Sequence, residues 1–335
     1  MGSRDAVLAL INGAWATQAI GVACELGLPD LLAQAPRDAA AIASQAHAHL
    51  DATRRLLNAL VSLGICEARP DGTFALAEDG EWLRRAGDDS LDAWARLSAT
   101  RLWRNWGGLA DSVRTGRSTR SRVQASEDFT HLDANAEAAD TFNAAMLAYT
   151  RPVARAAACR LDWSGVGTLV DVGGGVGELA ATILARYPSM RGIVYDLRHA
   201  ATAATRHLER AGLSSRCDFV AGSFFESVPA GDACILKSVV HNWDDERAAV
   251  VLARCAEALA PGARVVLLER LLPEHPGSNA EDREHARSDL NMLVGCDGRE
   301  RTEEDFRALL EAAGLAWHGA TPLVQGFSAL EARRR

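Results

Sequence analysis

The sequence predicts an α/β protein: a mostly parallel sheet with helices on both faces, preceded by a helical domain with a winged-helix shape. From residue 161 onward, short apolar runs typical of buried strands alternate with segments of helical spacing. Before residue 161 the chain is rich in alanine and leucine and contains one hairpin pattern. A chain of 335 residues is long enough to bury the cores of two domains.

Residues 1–90 predict the winged helix. An apolar stripe with helical spacing covers residues 6–27, and shorter helical patterns follow at 38–46 and 50–63. Strand patterns at 65–68 and 73–76 flank a Pro-Asp-Gly turn, which is a hairpin signal. Winged helices can bind DNA, but seven arginines against twelve acids give this region a charge of −5, the wrong sign for phosphate. We therefore interpret residues 1–90 as a dimerisation domain with the first helix, including Trp15 and Ile20, as its pairing face.

Residues 91–160 predict further helices, interrupted by a polar and basic loop at 116–126. Phe142 and Met146 lie one helical turn apart and therefore share a face. Packing in the core is the default interpretation of such a pair. The alternative is a wall of a pocket for an aromatic acceptor, because ligand pockets are lined largely by apolar side chains.

Residues 161–335 predict the sheet. Strands are expected at 168–172, 192–196, 216–220, 233–239 and 264–269, and helices at 177–187, 199–211, 245–259 and 303–313. This alternation is typical of parallel strands with helical crossovers. The last two strand patterns, near 315–320 and 326–332, are separated by a short turn and predict an antiparallel pair.

Composition excludes several classes of protein. A net charge of −8 argues against a nucleic-acid partner. The N-terminus lacks a basic-then-apolar signal pattern, and we expect no apolar run of the ~18–20 residues that a membrane span needs, so the protein is predicted to be cytoplasmic and away from membranes. The seven cysteines form no CxxC pair, which favours reduced, mostly buried thiols.

A glycine turn follows the first predicted strand of the sheet, in Leu169-Val-Asp-Val-Gly-Gly-Gly-Val-Gly177. Glycines let the backbone approach a ligand closely, and the following helix offers free N–H groups. The third glycine of a dinucleotide-binding fingerprint would fall at Glu178. An acid there suits a cofactor with an ammonium or sulfonium group, which favours S-adenosylmethionine over NAD.

Two further positions fit a nucleoside. Asp196 closes the second strand, 19 residues after Gly177, where a carboxylate would accept hydrogen bonds from ribose hydroxyls. It could instead cap the helix that begins near His199. Ser223 and Phe224 follow the third strand and could meet the edge and the face of adenine.

The most informative stretch is Leu236-Lys-Ser-Val-Val-His-Asn-Trp-Asp-Asp-Glu246. It sets His241 at the carboxyl end of a predicted strand, where open α/β sheets bind ligands. A neutral imidazole there can take a proton from an acidic hydroxyl if a carboxylate fixes its tautomer. Glu269, at the end of the next strand, and Glu300 qualify by position, although Glu300 could cap a helix and Glu269 could pair with an arginine.

These motifs together resemble the class I S-adenosylmethionine-dependent O-methyltransferases, namely the plant caffeic acid type and the bacterial enzymes acting on polyketide, anthracycline and phenazine scaffolds. The residues that carry the resemblance are the glycine turn, the histidine stretch, Glu269, and Gly298-Arg-Glu-Arg-Thr302. The likeness covers nearly the whole chain. It implies a Rossmann-like seven-stranded methyltransferase sheet, a winged-helix-like dimerisation domain at 1–90, an acceptor-pocket region at 91–160 and a catalytic domain at 161–335.

The resemblance also implies roles for single residues. His241 would be the general base, flanked by Glu269 and Glu300. The implied cofactor-binding residues are Gly173, Gly175, Asp196, Leu197, Ser223, Phe224, Lys237 and Trp243. The implied acceptor-binding residues are Phe142, Met146, Asp289 and Met292. Two positions depart from the family, which commonly has Asp where Ser223 and Asn242 stand.

The function predicted from the sequence is O-methylation of a phenolic or enolic hydroxyl on an aromatic, polyketide-type secondary metabolite. S-adenosylmethionine would be converted to S-adenosylhomocysteine, without a metal. One alternative is a family member that uses the bound cofactor for hydroxylation, decarboxylation or cyclisation. A second is a ligand-sensing DNA-binding regulator, which the acidic N-terminal region argues against.

Overall fold

The structure, a computed structural model, describes residues 3–87, 89–124, 129, 132 and 135–335. Its contacts divide the chain into two compact units. The first comprises residues 1–104 and 144–148, and the second comprises residues 105–143 and 149–335.

The first unit is mostly helical. Its helices are α1 (Arg4–Asn12), α2 (Ala14–Glu25), α3 (Leu28–Gln34), α4 (Ala39–Gln45), α5 (Leu50–Ser62) and α6 (Asp92–Leu97), and its strands are β1 (Cys66–Ala68) and β2 (Phe74–Leu76). The predicted first helix is two helices, because the chain turns at Gly13. The side chains of Asp38 and His49 accept backbone N–H groups at the starts of α4 and α5. Helix, helix and antiparallel hairpin form the predicted winged-helix arrangement.

The surface of α1 and α2 is unusually apolar. Leu10, Ile11 and Trp15 are 75%, 68% and 46% exposed. Contrary to the expectation from the sequence, Arg4–Glu25 is long and apolar enough to cross a membrane by length and composition, with a mean hydropathy of 1.5, and only 22% of that apolar window is buried. An exposed apolar surface of this kind is typical of a protein–protein or membrane interaction site.

A series of helices links the N-terminal elements to the sheet. They are α7 (Trp103–Trp106), α8 (Leu109–Thr115), α9 (Thr119–Gln124) and α10 (Ala136–Arg160), and a π-helical turn (Ser98–Leu102) precedes them. The prediction of a loop at 116–126 is wrong for residues 119–124, which form α9. Residues 125 and 126 lie outside the described part of the chain. Gly116 ends α8 in the left-handed conformation. The Ser118 hydroxyl then accepts the Ser121 N–H and starts α9 despite the polar composition.

The second unit contains a seven-stranded sheet in the order β5-β4-β3-β6-β7-β9-β8. Its strands are β3 (Thr168–Val172), β4 (Arg191–Asp196), β5 (Cys217–Ala221), β6 (Gly231–Lys237), β7 (Leu259–Arg270), β8 (Leu315–Pro322) and β9 (Phe327–Arg334). The strands β3 to β7 pair in parallel, and β9 and β8 close the edge as the predicted antiparallel pair. The carboxyl ends of β3, β4, β6 and β7 therefore lie along one edge of the sheet.

Helices cover both faces of this sheet. They are α11 (Glu178–Arg186), α12 (Ala201–Arg210), α13 (Asp245–Glu257), α14 (Ala280–Cys296) and α15 (Glu303–Ala312). One face packs in a cluster with α10 and α11 around Leu169, Val266 and Leu268, and the other packs with α13 and α15 around Leu236 and Leu267. The periodicity of the sequence did not indicate α14. All seven cysteines are free, and only Cys159 among them is exposed.

Candidate active site

The end of β6 places His241. The strand was predicted to reach residue 239, but it ends at Lys237, because Ser238 adopts a left-handed φ of 55° that a strand does not allow. A short helical turn, Val240–Asn242, follows immediately. The Asn242 amide donates to the Ser238 carbonyl over 2.9 Å and braces this bend. His241 thus lies at the carboxyl edge of the sheet with only 7% of its surface exposed.

His241 meets both predicted carboxylates. Its Nδ1 lies 3.0 Å from Glu300 Oε1 and 3.5 Å from Glu269 Oε2. Glu269 and Glu300 are themselves buried. With Nδ1 held by Glu300, Nε2 is the ring nitrogen able to accept a proton. One ligand atom of each of the three residues lies within 4.8 Å of the others, so the cluster could also hold a metal ion.

The charges of the three groups are coupled. Burial lowers the pKa of His241, but the carboxylates of Glu300 and Glu269 outweigh burial and raise this pKa above its ordinary value of 6.5. Burial acts to raise the pKa of Glu300, yet the charge and hydrogen bond of His241 bring it below its ordinary value. Burial raises the pKa of Glu269. Glu300 is therefore the anionic partner of the imidazole, and Glu269 is the acid that protonates first.

The structure decides the alternatives left open for the two acids. Glu300 does not cap α15, because Thr302 does so in a capping box with Asp305. Glu269 accepts the backbone N–H groups of Val239 and Val240 over 3.1 and 2.9 Å, rather than pairing with an arginine. Both carboxylates therefore face the histidine turn.

Sequence reasoning missed the groups that hold Glu300. The Ser288 hydroxyl donates to Glu300 Oε1 over 2.6 Å. Asp289, expected in the acceptor pocket, accepts the Glu300 backbone N–H over 2.9 Å. Both residues lie on α14, so this helix aligns the acid that meets His241. No local pattern in the sequence indicates the Ser288 contact.

Sequence reasoning also missed the role of Arg301, although the residue lies in a quoted motif. Its guanidinium is 1% exposed and donates to the carbonyls of Val240 (3.3 Å) and Trp243 (2.8 Å), on both sides of His241. It also pairs with Asp245 at 2.8 Å. A Cβ atom on Gly298 would lie 2.1 Å from the His241 carbonyl oxygen, so only glycine permits this close approach.

The glycine turn lies beside the histidine turn. Gly173 adopts a φ of +69°, and a Cβ atom on it would lie 2.7 Å from the Val239 side chain. The Gly175 N–H donates to Asp196 over 2.7 Å, and open space lies where a Gly175 side chain would be. Asp196 also accepts the Leu197 N–H, and it does not cap the turn near His199. A half-buried carboxylate and an open glycine turn are features that suit a nucleoside with a cationic tail.

The charge of Glu178 is matched within the protein. Its carboxylate pairs with Arg151 at 3.4 Å and lies 3.0 Å from His207 Nε2. The acid at the start of α11 therefore ties α10 and α12 to the glycine turn. The prediction that this acid faces a cationic cofactor is therefore wrong, because its carboxylate is already paired.

Aromatic side chains predicted to contact adenine lie close to one another. Phe224 and Trp243 have ring centroids 6.0 Å apart, and Phe225 lies 4.8 Å from Trp243. The Trp243 Nε1 is buried with no hydrogen-bond partner among the described residues. Ser223 is half-buried, and its hydroxyl lies 3.4 Å from the Phe225 nitrogen.

The structure places Met292, Phe142 and Met146, which are expected in the acceptor pocket, in different surroundings. Met292 is buried on α14, and its sulfur lies 3.7 Å from Cys296 Sγ. Phe142 is half-buried, with its ring 5.7 Å from that of Phe129. Met146, one turn along α10, belongs by its contacts to the other compact unit. The roles of these residues stay predictions.

Two known protein families match the chain. A family described as the O-methyltransferase domain matches residues 106–316, and one described as the O-methyltransferase dimerisation domain matches residues 8–85. The chain belongs to the O-methyltransferase family. This finding confirms the predicted family, and it confirms the sheet with an N-terminal dimerisation domain.

Known proteins resemble the O-methyltransferase over nearly its full length. It is 34% identical over 328 residues to the phenazine O-methyltransferase PhzM of Lysobacter antibioticus, covering 98% of this chain and 95% of that protein. It is 34% identical over 352 residues to the aclacinomycin 10-hydroxylase RdmB of Streptomyces purpurascens, covering 98% and 90%. The solved O-methyltransferase NcsB1 from neocarzinostatin biosynthesis, in complex with S-adenosylmethionine and 2-hydroxy-5-methyl naphthoic acid, matches with a TM-score of 0.82 at 32% identity, over 96% of each chain. The protein is an S-adenosylmethionine-dependent O-methyltransferase, as predicted.

Proposed function

We propose that this O-methyltransferase methylates a phenolic or enolic hydroxyl of an aromatic, polyketide-type metabolite, with His241 as the general base. The observation that carries the proposal is the 3.0 Å contact of His241 Nδ1 with the buried Glu300 carboxylate. It orients the ring, stabilises the imidazolium and leaves Nε2 for the acceptor hydroxyl. Glu269 adds a second carboxylate 3.5 Å away.

The cofactor-binding residues follow from the same edge of the sheet. S-adenosylmethionine supplies, when bound, a methyl group on a cationic sulfur. Asp196 would accept the ribose hydroxyls, and the turn of Gly173 and Gly175 would admit the methionine portion. Leu197, Ser223, Phe224 and Trp243 would surround adenine, and Lys237 would reach the cofactor through its backbone or side chain.

The acceptor is proposed to be a flat aromatic molecule. The supporting observations are the apolar candidates Phe142, Met146 and Met292, together with relatives named for phenazine and naphthoate substrates. Mass spectrometry of turnover mixtures with hydroxylated naphthoates and phenazines tests the proposal. We expect a product that has gained one methyl group and an equal amount of S-adenosylhomocysteine. Absence of methylated product across both panels would reject this acceptor class.

The resemblance to a hydroxylase supports a second candidate, cofactor-assisted chemistry without methyl transfer. The same spectra separate it from methylation. A hydroxylation would add one oxygen atom from O₂, with an external two-electron reductant converting the other atom to water, and a decarboxylation would remove carbon dioxide. S-adenosylmethionine would remain intact in both.

The rate of methyl transfer should rise with pH along an acidic limb that lies above the ordinary pKa of histidine. The neutral ring is the base, and Glu300 and Glu269 raise the pKa of His241 against the effect of burial. Removing a negative charge beside His241 lowers the pKa of its ring, so Glu300→Gln should move the acidic limb to lower pH. Glu269→Gln should move it less, because its carboxylate is farther from Nδ1. Initial rates from pH 5 to 9 measure both shifts, and a limb that stays in place in Glu300→Gln would contradict the pairing.

The protein is further proposed to be a cytoplasmic homodimer that pairs through α1 and α2, without a nucleic-acid or membrane partner. The match to a dimerisation domain and the exposed side chains of Leu10, Ile11 and Trp15 support this pairing. Light scattering should give twice the chain mass of 35.8 kDa. Ile11→Asp should lower it toward the monomer mass, and an unchanged mass would reject the pairing face.

The domain boundaries after residues 90 and 160 stay proposals.

A further inference from the structure

The side chains of His241, Glu269 and Glu300 form a buried cluster with the composition of a metal site. His241 is 7% exposed, Glu300 is 2% exposed and Glu269 is fully buried. One ligand atom from each residue lies within 4.8 Å of the others, so a single cation could contact all three. Histidine nitrogens and glutamate oxygens are ligands that Zn²⁺ accepts in proteins, and three of them are typical of a zinc site with one open position.

The spacing of the ligand atoms matches tetrahedral coordination. His241 Nδ1 lies 3.0 Å from Glu300 Oε1 and 3.5 Å from Glu269 Oε2. Zinc binds nitrogen and oxygen ligands at ~2.0–2.2 Å, which places neighbouring ligands of a tetrahedron about 3.3–3.6 Å apart. A metal ion could therefore take the place of the proton between His241 and Glu300 with little movement of these atoms.

Each acid of the cluster keeps one oxygen without a hydrogen-bond partner among the described residues. These atoms are Oε2 of Glu269 and Oε2 of Glu300. The other oxygen of each acid is occupied, because Glu269 Oε1 accepts the N–H groups of Val239 and Val240 and Glu300 Oε1 accepts the Ser288 hydroxyl. Buried charged oxygens without partners are costly unless a cation or a proton meets them. Both acids therefore have an oxygen to offer a metal ion.

Two positive side chains face this cluster without filling it. Lys237, at the end of β6, faces both acids, and Arg270, at the end of β7, faces Glu300. Within the described residues, the ion pairs of both acids are with His241 alone. Arg270 pairs instead with Glu284 at 3.6 Å. The two cations oppose the binding of a third, so removal of one of them should strengthen metal binding.

We propose that His241, Glu269 and Glu300 bind Zn²⁺ and that bound Zn²⁺ inhibits methyl transfer. Coordination takes the lone pair of His241 Nδ1, so the one proton of the neutral ring then resides on Nε2. Nε2 can then no longer accept the proton of an acceptor hydroxyl. The metal site stands on the cluster alone, whereas the inhibition rests on the proposed role of His241 as general base.

Calorimetry of the full chain with ZnCl₂, without cofactor, tests the site. Glu269→Gln should weaken Zn²⁺ binding by about 10- to 100-fold, because a neutral amide replaces a carboxylate ligand. Lys237→Met should strengthen it by about 10-fold, because it removes a positive charge that faces both acids. MgCl₂ at the same concentration should not displace Zn²⁺, since Mg²⁺ prefers about six oxygen ligands in an octahedron.

The matched control is His207→Ala. This histidine also meets a carboxylate, with Nε2 3.0 Å from Glu178 Oε2, but that pair has no second acid within ion-pair distance among the described residues. Its loss should leave the Zn²⁺ affinity within about twofold, because zinc sites use three or four protein ligands.

Equal Zn²⁺ affinity in Glu269→Gln and the unaltered chain, or no gain in Lys237→Met, would overturn the metal site. If Glu269→Gln does not fold by circular dichroism, His241→Ala replaces it and should lose Zn²⁺ binding to the same extent. None of these binding measurements requires methyl transfer, so failure of the proposed function would be seen separately.

Initial rates with hydroxylated naphthoates test the inhibition. Zn²⁺ should lower the rate in proportion to the occupancy measured by calorimetry, and EDTA should restore it. Zn²⁺ bound at the cluster with no loss of rate would overturn the inhibition and remove His241 as the base. A chain that methylates but does not bind Zn²⁺ would overturn the metal site and leave the proposed function standing.

Discussion

His241→Ala should lower turnover by about 10²- to 10⁴-fold, which is the usual contribution of a general base. The substitution removes the nitrogen that would take the acceptor proton and leaves two buried carboxylates without their cationic partner. Affinity for S-adenosylmethionine should stay within a few-fold, because Asp196 and the glycine turn lie on other strands. Single-turnover kinetics with saturating cofactor, alongside calorimetry of cofactor binding, measures the two effects separately.

The matched control is His318→Ala, which removes an exposed histidine of β8 in the same unit. Its turnover should equal that of the unaltered enzyme within about twofold, as for most surface substitutions. Turnover of His241→Ala near the unaltered value would remove His241 as the base. Loss of cofactor binding in this variant would show that the histidine acts on the fold of the site instead.

Arg301→Met should lower the free energy of unfolding by about 2–3 kcal/mol and turnover by roughly 10-fold or more. The guanidinium is buried and donates to the carbonyls of Val240 and Trp243, so its loss removes one hydrogen bond from each carbonyl and frees the turn that holds His241. The Val240 carbonyl keeps the Trp243 backbone N–H, at 3.2 Å, as its donor. The pair with Asp245 adds little, because that carboxylate is 60% exposed. Urea unfolding and steady-state kinetics measure the two changes.

Arg307→Met is the control, since this arginine lies half-exposed on α15 and, among the described residues, pairs with Glu304 and Glu311 of its own helix. Its free energy of unfolding should change by less than about 0.5 kcal/mol. Arg301→Lys should recover part of the stability but not all of the turnover, because an ammonium cannot span both carbonyls. Full activity in Arg301→Met would show that the turn holds its shape without the arginine.

The sequence could predict the parts of this site that are local in the chain. His241 and the glycine turn each follow an apolar strand and Glu269 lies near the end of another, so the alternation of strands and helices places them on one edge. The Glu300 contact depended on the resemblance, since nothing local distinguishes a base partner from a helix cap. Ser288 and Arg301 act through contacts with residues 12 and 58 or more positions away, which no periodicity records.

The fold could also be predicted from the alternation of strands and helices, apart from three segments. The periodicity did not indicate α14, because this helix buries His285 and Ser288 along with Met292 and so carries no clear apolar stripe; only the resemblance implied a helix there. The last predicted residues of β6 are lost to the left-handed Ser238, and α9 depends on a serine cap within a polar stretch. In each case a polar contact overrides the hydrophobic pattern.

Val239 contacts both the glycine turn and the acid Glu269 beside His241. Its side chain rests against Gly173, while its backbone amide holds Glu269, the second acid of the histidine. One residue therefore contacts both the turn proposed to receive the cofactor and the carboxylate that flanks the proposed base.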